Sequence, residues 1–117
     1  MNTTWTNLAV NQPPDDGDYL VYGFYRSGFR QWIARWESEE FISSGFDEIF
    51  YYRSLPAEGF HAFPEYTPVK RGRYLVRTAQ GQCLVTDWDP RLGAFDLKDE
   101  QTAIAFLDLP DDPVHAL

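Results

Sequence analysis

Asp87 and Asp89 flank Trp88 on a stretch that reads as a β-strand. Residues two apart on a strand share a face at about 6–7 Å, a separation at which paired carboxyls can hydrolyse a glycosidic bond as acid and base. The corresponding positions earlier in the chain hold Arg35 and Glu37. A structural alternative is therefore an Arg35–Asp87 ion pair, worth ~0–1 kcal/mol if exposed. Other chemistry is thinner. His61, His115, Cys83 and the scattered carboxylates show no His-x-x-x-His or Cys-x-x-Cys spacing, so neither a metal nor another cofactor is expected. No local signature marks Cys83 as a nucleophile. Ser43-Ser44-Gly45 reads as a turn, because a nucleophile elbow needs Gly-x-Ser-x-Gly. Gly23 and Gly28 lack the residues that complete a phosphate loop. The expectation is a protein without catalytic residues.

Rings and arginines carry the remaining signal. The chain has 4 Trp, 7 Tyr and 9 Phe, more than one small core needs. Tyr22, Phe24, Tyr25, Phe29 and Tyr51 are accompanied by Arg26, Arg30 and Arg53, the combination that concentrates at the centres of protein interfaces. Phe60 and Phe63 extend the surplus. Asp15, Asp16, Glu39 and Glu40 supply an acidic surround. These twelve positions, without Phe60 and Phe63, form the expected partner-binding set. Lys70, Arg71, Arg73 and Arg77 make the one basic cluster and read as a solvated turn.

With 10 Lys+Arg against 18 Asp+Glu, the net charge is −8. That disfavours direct nucleic-acid binding, which needs cations to displace counterions, and favours a basic or nucleic-acid-binding protein as partner. An acidic surface imitating phosphate spacing is one way to engage it. The 117 residues fit one domain, 44 % of them hydrophobic, which argues against a disordered chain. The lone Cys83 precludes an intrachain disulfide. No apolar run is long enough to span a membrane, and the first residues lack a secretory pattern. A cytoplasmic location is expected, with no membrane partner.

The elements that must hold these residues are written twice. Gly17-Asp18-Tyr19-Leu20-Val21 recurs as Gly72-Arg73-Tyr74-Leu75-Val76, Trp36 as Trp88, Phe41 as Phe95, Leu55-Pro56 as Leu109-Pro110, and Pro14 as Pro68. The pattern predicts strands over 19–25 and 74–78, 31–37 and 83–89, short strands near 41–42 and 94–97, and closing strands over 49–55 and 103–109. Trp32, Ala34 and Trp36 alternate onto one face, as do Leu84, Thr86 and Trp88. Val21 to Trp36 spans fifteen positions and Val76 to Trp88 twelve, which predicts a fuller connection over 26–30 than over 79–82. A helical turn is expected in 98–102, capped by Asp96 or Asp99. The whole reads as a single mainly β domain of two fused antiparallel units, pseudo-symmetric and compact: repeat 5–56, linker 57–67, repeat 68–113. Trp36 and Trp88 are expected at a shared interface, and open strand edges leave homodimerisation available.

An early Trp, a Pro-rich step, Gly, a Val/Leu strand, a mid-domain Trp and a closing Leu-Pro resemble the domain of unknown function 551 family. The matching residues are Trp5, Pro13, Pro14, Gly17, Tyr19-Leu20-Val21, Trp36, Ile49 and Leu55-Pro56. Tyr51 and Tyr52 stand where that family tends to carry a His-Trp pair, and Ser54 stands for its first Pro. The second copy shows no counterpart of Trp5. The resemblance implies a phage, prophage or other mobile-element setting and no catalytic residues. The functional expectation is a non-enzymatic accessory protein that binds and inhibits a host protein, an anti-CRISPR role in host defence evasion being one form. The alternatives are an immunity-type inhibitor of a basic toxin, a small carboxylate-dependent hydrolase and a carbohydrate-binding module.

Overall fold

The computed structural model describes residues 5–26, 28–42 and 47–113. His115 and the Ser43-Ser44-Gly45 turn lie outside them. The chain is all-β, and no helix among the described residues is long and apolar enough to cross a membrane. It divides into two units, Met1–Pro56 with Asp111–Leu117, and Ala57–Pro110.

The first unit is one antiparallel sheet of β1 (Thr6–Asn7), β2 (Gly17–Tyr25), β3 (Gly28–Glu37), β4 (Glu40–Phe41) and β5 (Asp47–Ser54), in the order β1-β5-β2-β3-β4. The second has β6 (His61–Ala62), β7 (Gly72–Thr78), β8 (Cys83–Asp89), β9 (Ala94–Phe95) and β10 (Ala103–Asp108), in the order β6-β10-β7-β8-β9. Alternation along the strands sorts the side chains. Tyr19, Val21, Ala34, Trp36 and Tyr52 form one buried cluster, with Leu8, Trp32, Phe41 and Ile49 packed on it. Tyr74, Val76, Trp88, Phe95 and Phe106 form the other, joined by Phe63, Leu97 and Ala103. The ring contacts of Trp36, to Phe41, and of Trp88, to Phe63 and Phe95, fall inside their own units.

The two frames agree bond by bond. Tyr19 Oη donates to the Asp15 carbonyl at 2.7 Å, and Tyr74 Oη to the Lys70 carbonyl at 2.7 Å. Ile42 N donates to Arg35 O at 2.9 Å, and Asp96 N to Asp87 O at 2.9 Å. Leu8 N reaches Phe50 O, and Phe63 N reaches Ile104 O, each at 2.9 Å. Residues 57–67, read from sequence as a linker, therefore contribute the first strand of the second unit, and Phe60 occupies the place of Trp5. The proline matching buried Pro68 is Pro13, which is also buried, rather than the exposed Pro14.

Three further expectations change. No helix forms over 98–102: Gln101 N closes a reverse turn on Lys98 O at 2.9 Å and its Oε1 accepts from Lys98 N at 2.9 Å, five residues being too few to nucleate a helix alone. Arg35 makes its ion pairs within its own sheet, with Asp18 at 3.5 Å and Glu37 at 3.8 Å, instead of with Asp87. The extra residues of the first copy lengthen strands, not the connection. β2 and β3 run 9 and 10 residues and pair from Gly17↔Trp36 out to Tyr25↔Gly28. β7 and β8 run 7 each and are joined by the longer loop 79–82. That loop closes through Thr78: Gly81 N donates to its carbonyl, and Gln82 N to its Oγ1.

Candidate functional site

The extended β2–β3 hairpin projects Phe24, Tyr25, Arg26, Phe29 and Arg30 beyond the frame that both units share. Three features put it there. Gly23 lets β5 come close: a Cβ at this position would collide with the Glu48 carbonyl oxygen and lie 2.9 Å from Ile49 Cα. The ladder can then continue through Phe24↔Glu48 and Tyr25↔Asp47. A bulge in β5 accommodates the approach, with the register stepping from Tyr22↔Tyr51 to Gly23↔Ile49 and leaving Phe50 unpaired with β2. The turn bends through Arg26 at φ 60°, a left-handed conformation that costs a non-glycine residue about 1–2 kcal/mol.

The rings form a continuous chain. Trp5 meets Tyr22 edge-on at 6.2 Å, Tyr22 stacks on Phe29 at 5.9 Å with planes 12° apart, and Phe29 meets Phe24 at 5.3 Å. Tyr51 and Phe50 flank it, 6.5 Å from Tyr22 and 6.2 Å from Phe29 respectively. Exposure divides the set. Tyr22 is only 6 % exposed and belongs to the packed base, whereas Phe24 and Phe29 are 37 % and 56 % exposed. The Tyr25 ring has the Arg26 and Arg30 guanidinium carbons at 5.6 and 5.5 Å and leans on Trp32 at 5.6 Å. Arg53 lies 5.3 Å over Trp5, and burial draws its guanidinium below the ordinary value. Burial, then the Asp112 charge, raises the Tyr22 phenol. The base is tied down from a distance in sequence: Trp5 Nε1 donates to Asp111 O and Gln31 Nε2 to Asp112 Oδ1, both at 2.8 Å.

Beside Phe29 an open groove of about 640 Å3 is lined by Leu8, Ala9, Ile49, Phe50 and Tyr51, with Asn7 and Glu48 at its margin. Sequence reading missed Leu8, Ile49 and Phe50 as surface-forming residues. Mid-strand Gly23 was the available sign of a bulge.

The expected acidic surround does not encircle these rings. Asp15 and Asp16 precede the Gly17 end of β2, Glu39 lies in the β3–β4 turn, and Glu40 opens β4 opposite Glu37. Gly17 pairs with Trp36, so all four acids sit at the opposite end of a strand about 26 Å long. Phe63 is core in the second unit, and Phe60 lies under Arg77 at 4.3 Å. Of the carboxylate pair, Asp89 is engaged: its Oδ1 accepts from Arg91 N at 2.9 Å and pairs with Arg71 at 3.4 Å and Arg91 at 3.6 Å. The Arg91 backbone bond, then the arginine charges, hold its carboxyl below the usual range. That is the wrong direction for a general acid, which needs a raised value. Among the described residues no group of three or more His, Cys, Asp or Glu is arranged to hold a metal ion.

Fold and site together describe an all-β protein of two like units, one bearing an aromatic hairpin beside an apolar groove. No known protein family, curated protein or solved structure matches the chain.

Proposed function

We propose that the protein is a non-enzymatic binding protein that engages and inhibits a host protein through the β2–β3 hairpin. The carrying observation is the difference between the units: the copy with the longer hairpin uses its added length to expose Phe24 and Phe29 and to set Arg26 and Arg30 against the Tyr25 ring. Exposed rings cost solubility unless something covers them, and aromatic–arginine clusters are what interface centres use. The groove beside Phe29 would receive an apolar side chain of the partner. The acidic end of the sheet and the net charge of −8 favour a basic partner and would hasten its approach. The phage or mobile-element setting, and with it a role against host defence, rests on the resemblance carried by Trp5, Gly17, Trp36 and Leu55-Pro56.

The test is affinity capture from bacterial lysate with the wild-type chain and a Phe24→Ala/Phe29→Ala variant, followed by titration with the purified captured protein and assay of its activity. The double variant is expected to weaken binding by at least about a hundredfold, as for loss of two interface anchors at ~1.4 kcal/mol or more each. Asp15→Asn/Asp16→Asn should chiefly reduce the association rate and its salt dependence. Undiminished binding by the phenylalanine variant, or an unaffected partner activity, overturns the reading.

A further inference from the structure

The first unit carries a strand edge that the hairpin reading does not use. β1 follows β5 through Thr6↔Tyr52, Asn7↔Tyr51 and the bond from Leu8 N to Phe50 O. There it turns away, with Val10 N and Asn11 N both donating to Asn7 O. β5 extends further, to Asp47, with β2 along one side. No described strand runs along Glu48 and Ile49 on the other. The second unit has little of this edge. Its equivalent bond, from Phe63 N to Ile104 O, falls next to Ala103, where β10 begins. An open edge presents backbone donors and acceptors, and an extended chain is what pairs with them.

Both faces of the edge are hollowed. Leu8 and Ile49 border two cavities, the groove of about 640 Å3 beside Phe29 and a second of about 290 Å3. Alternation along β5 places them on opposite faces, since Glu48 lines the first and Asp47 the second. Ring packing agrees. Phe50 in the first meets Phe29, whereas Trp36 in the second belongs to the buried cluster. An added strand would send successive side chains to the two cavities in turn, its backbone supplying affinity and the cavities specificity. The two linings suit different residues. The first is apolar, with Asn7 and Glu48 at its margin. The second joins the rings of Trp36 and Phe41 to three acidic residues, Glu39, Glu40 and Asp47. A Lys or Arg side chain fits that combination, laying its aliphatic stem on the rings and its charge beside the acids. The acids also disfavour a second copy as occupant. Two β5 strands paired about a twofold axis would set Asp47 and Glu48 of each against those of the other, and like charges across a ladder destabilise it.

We propose that β5 takes an extended segment of the partner as an added strand, with an apolar side chain in the groove beside Phe29 and a Lys or Arg in the acidic cavity on the other face. This rests on the hairpin reading for the existence of a partner and adds its chemistry, a stretch in which apolar and basic residues alternate.

The test selects random dodecapeptides on the full chain and synthesises the binders. They should alternate apolar residues with Lys or Arg and carry no Pro in that stretch, because Pro cannot complete a ladder. Methylating the peptide's backbone nitrogens one at a time should lower affinity about tenfold or more at every second residue, and much less at those between. Bound peptide should slow amide exchange at Glu48 or Ile49. Glu39→Gln/Glu40→Gln should weaken binding of the basic peptides about threefold or more. The proposal is overturned by an absence of binders, by methylation effects that do not alternate, by unchanged exchange at both amides, or by full affinity in the glutamine variant. Dimerisation of the free chain that slows exchange at the same amides assigns the edge to a second copy and also overturns it. The two readings separate with the captured protein. Loss of its binding in Phe24→Ala/Phe29→Ala, without protection of Glu48 or Ile49 in the wild-type complex, overturns strand addition alone. Peptide binding at the edge beside undiminished capture by that variant overturns the hairpin reading alone.

Discussion

At Gly23 a methyl group has nowhere to go, because the obstacle is the backbone of β5 rather than a side chain that could swing aside. Gly23→Ala is therefore expected to destabilise the chain by at least about 2 kcal/mol, measured as a lowered midpoint in urea, and to weaken partner binding by shifting the hairpin beyond it. The tyrosine hydroxyls are the opposite case, local and replaceable. Tyr19→Phe and Tyr74→Phe each delete one bond to a backbone carbonyl, which should cost about 1 kcal/mol. Similar losses from the two, in the same denaturation measurement, would show that the matching geometry has matching energetic weight. At the β3–β4 turn, Ser38 and Glu39 both adopt positive φ, 56° and 67°, where Asn-Gly is the favoured pair. Ser38→Asn/Glu39→Gly should raise stability by roughly 1–2 kcal/mol.

The strands were legible in the sequence because their signal is local. Cys83–Asp89 follows from alternation, and the places of Trp36 and Trp88 follow from the repeated order of landmarks. What was not legible depends on partners distant in the chain. Nothing near Phe60 marks a strand until β10 is there to pair with His61 and Ala62. The three additional residues of the first copy were assigned to the connection over 26–30, because the spacing from Val21 to Trp36 gives their number but not whether they pair. β5 converts them into ladder by its close approach at Gly23. Phe24 and Phe29 emerge as the exposed rings of the expected set, Tyr22 as its buried base, and the four acids as residents of the far end. Composition contains all of these side chains but not the register that separates them.

Across the whole molecule, pH should act from two sides. On the acid side, Asp89 has a folded-state value below the ordinary 3.8. Its stabilisation is present above that value and is lost as pH falls through the depressed one. Asp89→Asn keeps a turn acceptor but removes the charge, so it should flatten the acid limb of a stability–pH curve. On the alkaline side burial raises Tyr22, Tyr52 and Tyr74, with lesser contributions from the charges of Asp112, Tyr19 and Asp108 respectively. Their stabilisation is complete below the unfolded value of 10.0 and is lost as pH rises through the folded one. Unfolding and phenolate absorbance should therefore rise together above that pH.

The unequal hairpins make the aromatic one portable. Loop 79–82 occupies in the second unit the position from which the first unit sends out its rings, and the strands beneath it follow the same order. Replacing that loop with the tip of the β2–β3 hairpin, together with Thr78→Gly to admit the closer strand, would give one polypeptide two copies of the recognition element. Titration against the partner would then read a stoichiometry of two in place of one, and a partner displayed at high density would be held by avidity.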